Sequence, residues 1–236
     1  EFITGKFDQL HRTLPFAAFT QAFRELVGHL LTLPTARLAD WQQRLKAALG
    51  VNAQLLIELI PEIELVIGPQ PPVAVLGPTE SQLRFGMVIQ NFVRVFTQAH
   101  LVVLFIDDLQ WADPASLGLL HMLLTDVEGG RLLIIGAYRD NEVDAAHPLR
   151  TALQGLQKQG VTPGELQLEP LAMSDVQLLL SDTFGPHAAG SVAALAAQVF
   201  KKTLGNPFFL IQFLGVLHKS GLLYLDAATN KWMWDE

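Results

Sequence analysis

Residues 101–114 read LVVLFIDDLQWADP, and the fold turns on this stretch. Its first six residues are all apolar and include two Val and an Ile, which predicts a strand buried on both faces of a parallel sheet. The run ends abruptly at Asp107 and Asp108. Ligands of open α/β sheets bind beyond the carboxyl ends of the strands, so the two carboxylates stand at a candidate site. Acids after a strand can also cap the next helix, by accepting hydrogen bonds from its free N–H groups. Asp113 suits that use, because Pro114 follows it at a first helical position.

Apolar residues running into a pair of Asp form the Walker B pattern of P-loop NTPases. In that pattern one carboxylate helps hold Mg²⁺, directly or through water, and its neighbour can orient the attacking water. The flanks agree. Thr79, with Gln82 three residues on, predicts a capping-box helix start. The helix it opens carries Phe85, Val88, Ile89, Phe92, Val93 and Phe96 on one side and feeds the central strand. A helix from 114 to about 125, the pair Gly129-Gly130 and a second buried strand over 131–137 follow, which is βαβ order. This second strand ends in Tyr138-Arg139-Asp140-Asn141. Arg139 has the chemistry to feel a γ-phosphate there, or to pair with Asp140 or a loop carboxylate.

Toward the N-terminus, residues 1–4 predict a short strand. Gly5-Lys6 fails as the end of a phosphate loop, because Phe7 follows and no glycine precedes, and GxxxxGK[ST] occurs nowhere in the chain. Residues 15–31 form an amphipathic helix, with further helices over 36–49 and 52–60. The segment 68–78, GPQPPVAVLGP, reads as an exposed loop. Toward the C-terminus come a helix over 147–157, a short strand over 165–168, and helices over 174–182, 187–201 and 207–219. Residues 221–235 read as a β-hairpin. Helices followed by a hairpin suggest a small lid of winged-helix type. No basic recognition helix accompanies it, and Trp232 and Trp234 share one face, so the hairpin reads as packed structure and not as a groove reader.

Composition narrows the function classes. A chain of 236 residues, 50% hydrophobic, can bury a substantial core. Its net charge of −7 argues against a broad nucleic-acid surface. With no Cys, disulfides and thiolate metal sites are excluded, and with 7 His lacking HxxxH or HExxH spacing zinc chemistry is not expected. No apolar run reaches the roughly 20 residues of a membrane span, and the N-terminus lacks a signal-peptide layout, so a cytoplasmic protein is expected. The missing initiator Met and an opening in mid-strand suggest a piece of something longer.

Together, GKFDQ (5–9), LFIDDLQWADPASL (104–117), LLIIGAYRDNEV (132–143), HPLR (147–150) and KTLGNPFFL (202–210) resemble the ATPase module of bacterial multi-sensor hybrid histidine kinases and related serine/threonine kinases. That module is similar to STAND-type AAA ATPases and to origin-recognition-type ATPase domains. The resemblance implies an α/β fold: a partial P-loop NTPase parallel sheet of AAA type flanked by helices, then a helical lid and the start of a winged-helix hairpin. The implied division is a core over 1–170 and a lid over 171–236. Asp107 and Asp108 would correspond to Walker B, with Asp107 toward Mg²⁺, and Arg139 to the sensor of the adjacent strand. Gly205-Asn206-Pro207 would be the lid motif whose Pro packs near the adenine; its plainer reading is a helix start.

In the family a first strand and P-loop precede GKFDQ, so the resemblance also implies a truncated module lacking its central strand and phosphate cradle. The function implied for the parent is an ATP-binding and ATP-hydrolysing switch, with ATP and Mg²⁺ as cofactors and kinase and sensor domains of the same polypeptide as partners. Homo-oligomerisation stays open, while nucleic acid and membrane are not expected. The alternatives are a non-enzymatic signalling scaffold and the ATPase part of a transcription regulator. For the isolated chain we expect no turnover, feeble Mg-ATP binding and poor solubility.

Overall fold

Short apolar runs make the sheet and long amphipathic ones cover it. The computed structural model describes residues 1–9, 14–185, 188 and 190–234, which divide into two units, Glu1–Pro163 and Gly164–Glu236. The division implied by the resemblance lies between 170 and 171.

In the first unit, β1 (Phe2–Lys6), β2 (Val102–Asp107) and β3 (Leu132–Gly136) form a parallel sheet in the order β1-β2-β3. The ladder aligns Lys6 with Asp107 and Ile106 with Gly136, so all three carboxyl ends lie along one rim. Helices α1 (Ala17–Leu31), α2 (Thr35–Leu49), α3 (Ala53–Leu59), α4 (Glu64–Ile67), α5 (Pro78–Ala99), α6 (Pro114–Leu124) and α7 (Pro148–Lys158) complete the unit. Their apolar stripes meet in one core, where Phe92 stands edge-on to Phe23 and Phe96 at 5.4 and 5.1 Å and Trp41 stacks on Phe96 at 4.8 Å. Each such ring contributes through its buried area and somewhat more through aromatic geometry.

Helix α1 touches the backbone of β1 itself. A Cβ on Gly5 would collide with the Ala18 carbonyl, so glycine is what lets helix and strand approach. The same helix closes the outer edge of β1: Thr4 N–H donates to Glu25 Oε2 at 2.8 Å and Lys6 N–H to Gln21 Oε1 at 3.0 Å. Side chains thus satisfy the donors that an edge strand leaves open.

Four expectations need correction. Strand β2 is fully buried on one face only, through Val102, Leu104 and Ile106; Val103 and Phe105 on the opposite face are half-buried. Strand β3 is not a buried strand, since Leu133 and Ile135 are 49% and 41% exposed. Among the described residues it is a sheet edge, with no strand beyond it. The start of α5 is set by Pro78 at its first position, with Gly77 ahead and no side-chain cap, so Thr79 does not cap it. Residues 165–168 form no strand, and Leu166 and Leu168 are exposed, because an extended segment without a pairing neighbour has nowhere to place its backbone hydrogen bonds.

The second unit holds α8 (Met173–Phe184), α9 (Val192–Thr203), α10 (Pro207–Lys219) and an antiparallel hairpin of β4 (Leu223–Asp226) and β5 (Lys231–Trp234). The expected helix start at His187 lies outside the described residues. Val176, Leu180, Phe184, Leu195, Val199, Leu210 and Leu223 form its core. Trp232 and Trp234 both pack on Phe184, at 5.3 and 6.3 Å, which is the packed hairpin expected from their shared face.

Candidate functional site

The rim where β1 and β2 end gathers the charged groups. Lys6 leaves β1 beside Asp107, and its ammonium lies 2.8 Å from Asp107 Oδ2 and 2.9 Å from Asp108 Oδ2. Past the end of β2 the chain turns at Asp108 in the left-handed region, φ 54° and ψ 42°, a conformation unfavourable for a residue with a Cβ. Two contacts hold the turn. Asp108 N–H donates to Asp107 Oδ1 at 2.9 Å, and Leu109 N–H reaches across to the Ala137 carbonyl beyond β3. The turn tucks the Asp108 side chain inward, 6% exposed, while that of Asp107 stays 38% exposed.

Arg139 approaches from the neighbouring strand. Its Nε lies 3.6 Å from Asp108 Oδ1, its Nη1 donates to Glu142 at 3.3 Å, and its guanidinium lies over the Trp111 ring at 5.6 Å. Trp111 in turn donates to Glu142 at 3.0 Å. Of the structural partners weighed for Arg139, the loop carboxylate is Glu142. Gln110 ties the two strand exits together: its Nε2 donates to Asp108 Oδ1 at 2.8 Å and its Oε1 accepts from Arg139 N–H at 3.3 Å.

These contacts set the protonation states. Burial pushes the Asp108 carboxyl upward, but hydrogen bonds from Lys6 and Gln110, with the Lys6 and Arg139 charges, outweigh it and hold the group below the usual carboxylate value. Lys6 is raised to about 12, first by its hydrogen bond to Asp107 and then by that to Asp108. Both carboxylates therefore face one shared positive group.

Asp107, Asp108 and Arg139, picked out separately in the sequence, come together here. Lys6 and Gln110 were missed. Lys6 was set aside with a failed phosphate-loop comparison, although it closes a strand and so obeys the rule that singled out Asp107. Gln110 carries no sequence signal, being one polar residue in a short 3₁₀ turn. Asp113 caps α6 as expected, accepting from Ser116 N–H at 2.9 Å.

Gly205, Asn206 and Pro207 lie in the second unit. Asn206 caps α10, its Oδ1 accepting from Phe208 and Phe209 N–H at 3.0 and 3.2 Å, with Pro207 at the first helical position. Gly205 sits at φ 77°, where a Cβ would collide with the Leu171 carbonyl, and its own carbonyl accepts from Leu171 N–H at 2.9 Å. The helix-start use of these residues is thus fully occupied in the fold.

A family model described as AAA ATPase domain matches residues 1–135, more than half of the chain. The chain belongs to the AAA ATPase domain family. Its three parallel strands flanked by helices are those of a partial P-loop NTPase fold of AAA type. The matched span contains Lys6, Asp107 and Asp108, whereas Arg139 and residues 205–207 lie beyond it. Hybrid signal transduction histidine kinase G of Dictyostelium discoideum is 28% identical over 299 aligned residues, which take in 99% of this chain. The chain spans about 8% of that relative's length. No solved structure gives a significant match.

Membership of the AAA ATPase domain family implies nucleotide binding, usually with Mg²⁺. The rim suits a hard cation, because two carboxylate oxygens already converge on one ammonium at 2.8 and 2.9 Å. Among the described residues, no group of three or more His, Cys, Asp or Glu could hold a metal. No described helix of this AAA ATPase domain is long and apolar enough to cross a membrane.

Proposed function

We propose that this chain is the carboxylate-bearing part of a nucleotide-dependent switch, a STAND-like AAA module within a signal-transduction kinase of bacterial type. The single observation that carries the reading is the convergence of Asp107, Asp108 and Arg139 at the carboxyl ends of adjacent parallel strands. The name of the kinase relative supports the signalling context. Kinase and sensor domains of the same polypeptide would then be the partners.

In this reading residues 102–107 and the two acids are a Walker B element. Asp107, the more exposed, supplies the oxygen that faces the bound cation, and that cation offsets charge on the phosphates. Asp108, ionised and fixed by Gln110, accepts a hydrogen bond from the attacking water and orients it. Arg139, held by Trp111 and Glu142 but well exposed, contacts the terminal phosphate as a sensor. Residues 171–236 serve as the lid, in which Asn206 keeps α10 in place. The chain has no GxxxxGK[ST], so a phosphate cradle has to be supplied by another segment. That lack also favours a second reading, a scaffold that transmits signals without hydrolysis.

The test joins the chain to a segment carrying GxxxxGK[ST] and follows phosphate release. We expect hydrolysis, with Asp108→Asn lowering it by roughly a hundredfold or more while nucleotide affinity changes little. Unchanged turnover in that variant removes Asp108 from its role. Absence of hydrolysis with nucleotide bound selects the scaffold.

A further inference from the structure

Lys6 belongs to no phosphate loop, yet it occupies the centre of the site. Three observations fix it there. The β1–β2 ladder aligns its Cα with that of Asp107, and Phe7 N–H continues the pairing by donating to the Asp107 carbonyl at 3.1 Å. Gly5 lets α1 press on β1, and Gln21 of that helix accepts the Lys6 N–H, so the backbone beneath the side chain is held on both sides. The ammonium contacts Asp107 Oδ2 and Asp108 Oδ2 at nearly equal distances, 2.8 and 2.9 Å, which is bridging geometry between two acids and not a simple pair.

In the proposed Walker B role Asp107 is the acid that would face a divalent ion, so the ammonium already stands where that positive charge would go. We propose that Lys6 is a tethered cation that holds this position when no divalent ion is bound, and that a divalent ion enters only by displacing it. This rests on the proposed role of Asp107 toward a bound cation, and it adds an internal competitor to that site. In the exchange the ammonium loses its two charge-assisted hydrogen bonds, the Asp107 carboxylate turns to the ion, and the Asp108 carboxylate is freed to accept from water. The side chain of Lys6 is 57% exposed and its stem flexible, so the displaced group can move into water. Displacement also leaves a positive group beside the bound ion, placed to meet the phosphate oxygens that arrive with it. The site would then favour a cation delivered with a polyphosphate over the free ion, since only the polyphosphate gives the ejected ammonium a new partner.

The test uses the whole 236-residue chain and Mn²⁺ alone, with free Mn²⁺ read by electron paramagnetic resonance. Lys6→Met, which keeps the stem and removes the charge, should bind Mn²⁺ about three- to tenfold more tightly than wild type, the size expected for losing two partly exposed ion pairs. Lys6→Arg should stay close to wild type, and Lys6→Met combined with Asp107→Asn should lose the gain. Circular dichroism reports whether each variant is folded. Equal affinity in wild type and Lys6→Met overturns the competitor and leaves the cation site standing. Weaker binding in Lys6→Met than in wild type overturns it too, by making Lys6 an aid to the cation. No Mn²⁺ bound by wild type or by folded Lys6→Met overturns both the competitor and the cation site beneath it.

Discussion

At the scale of single residues, function and stability separate cleanly at this rim. Arg139 is 59% exposed, and without it the buried Asp108 carboxylate keeps Lys6 and Gln110 as partners, so Arg139→Ala should change unfolding free energy by less than about 1 kcal/mol in a urea titration. A larger loss would make it a structural residue. Gly5 is the opposite case. Gly5→Ala drives a methyl into the Ala18 carbonyl, and overpacking of this kind costs about 1–3 kcal/mol, measurable in the same titration. Asp107, Asp108 and Arg139 were legible in the sequence because a change from apolar to polar at a strand end is a local signal. Lys6 carries the same strand-end signal, but its bridging of both acids comes from register, and the role of Gln110 comes from the turn at Asp108, neither of which a one-dimensional pattern displays.

At the scale of elements, α5 is the wall against which the sheet and α1 pack. Phe92 on that helix is fully buried between Phe23 and Phe96, and Phe92→Ala should cost about 3–5 kcal/mol, seen as a lowered urea midpoint with unchanged slope. The same helix is pinned by Arg94, whose guanidinium meets Asp126 at 2.5 Å and Glu128 at 2.8 Å. The hydrogen bond from Arg94 holds the Asp126 carboxyl below its usual value despite burial. A carboxyl lowered in the folded state takes up its proton later than in the unfolded chain. Its stabilising effect is therefore whole above the unfolded value of about 3.9 and is lost as pH falls through the lower folded value. Asp126→Asn should accordingly show a smaller loss of stability between pH 7 and about pH 2 than wild type, and an equal loss would remove Asp126 from acid unfolding. Helix positions were readable from apolar spacing, and α10 appears at Pro207–Lys219 as the sequence implied. Burial was not readable. The same apolar run suits a covered strand and an edge strand, and only the presence of a neighbour distinguishes them, as β3 demonstrates.

At the scale of the molecule, two separate cores are joined by residues 161–172, which carry no regular structure. Limited proteolysis should cut there early and release two fragments identifiable by mass spectrometry; persistence of that segment after cleavage within the first unit would contradict it. Leu133 and Ile135 on an edge strand favour association, and light scattering should report a mass that rises with concentration. Replacing both by Lys should suppress the rise, whereas a monodisperse monomer in the unaltered chain would refute the expectation. Glu25 and Gln21 give the sheet a direction, because they occupy the donors along the outer side of β1. Among the described residues, an additional ribbon of backbone finds two donors of that margin already taken while the side along Leu132–Gly136 stays open, so the first helix biases accretion onto this β-layer toward one flank.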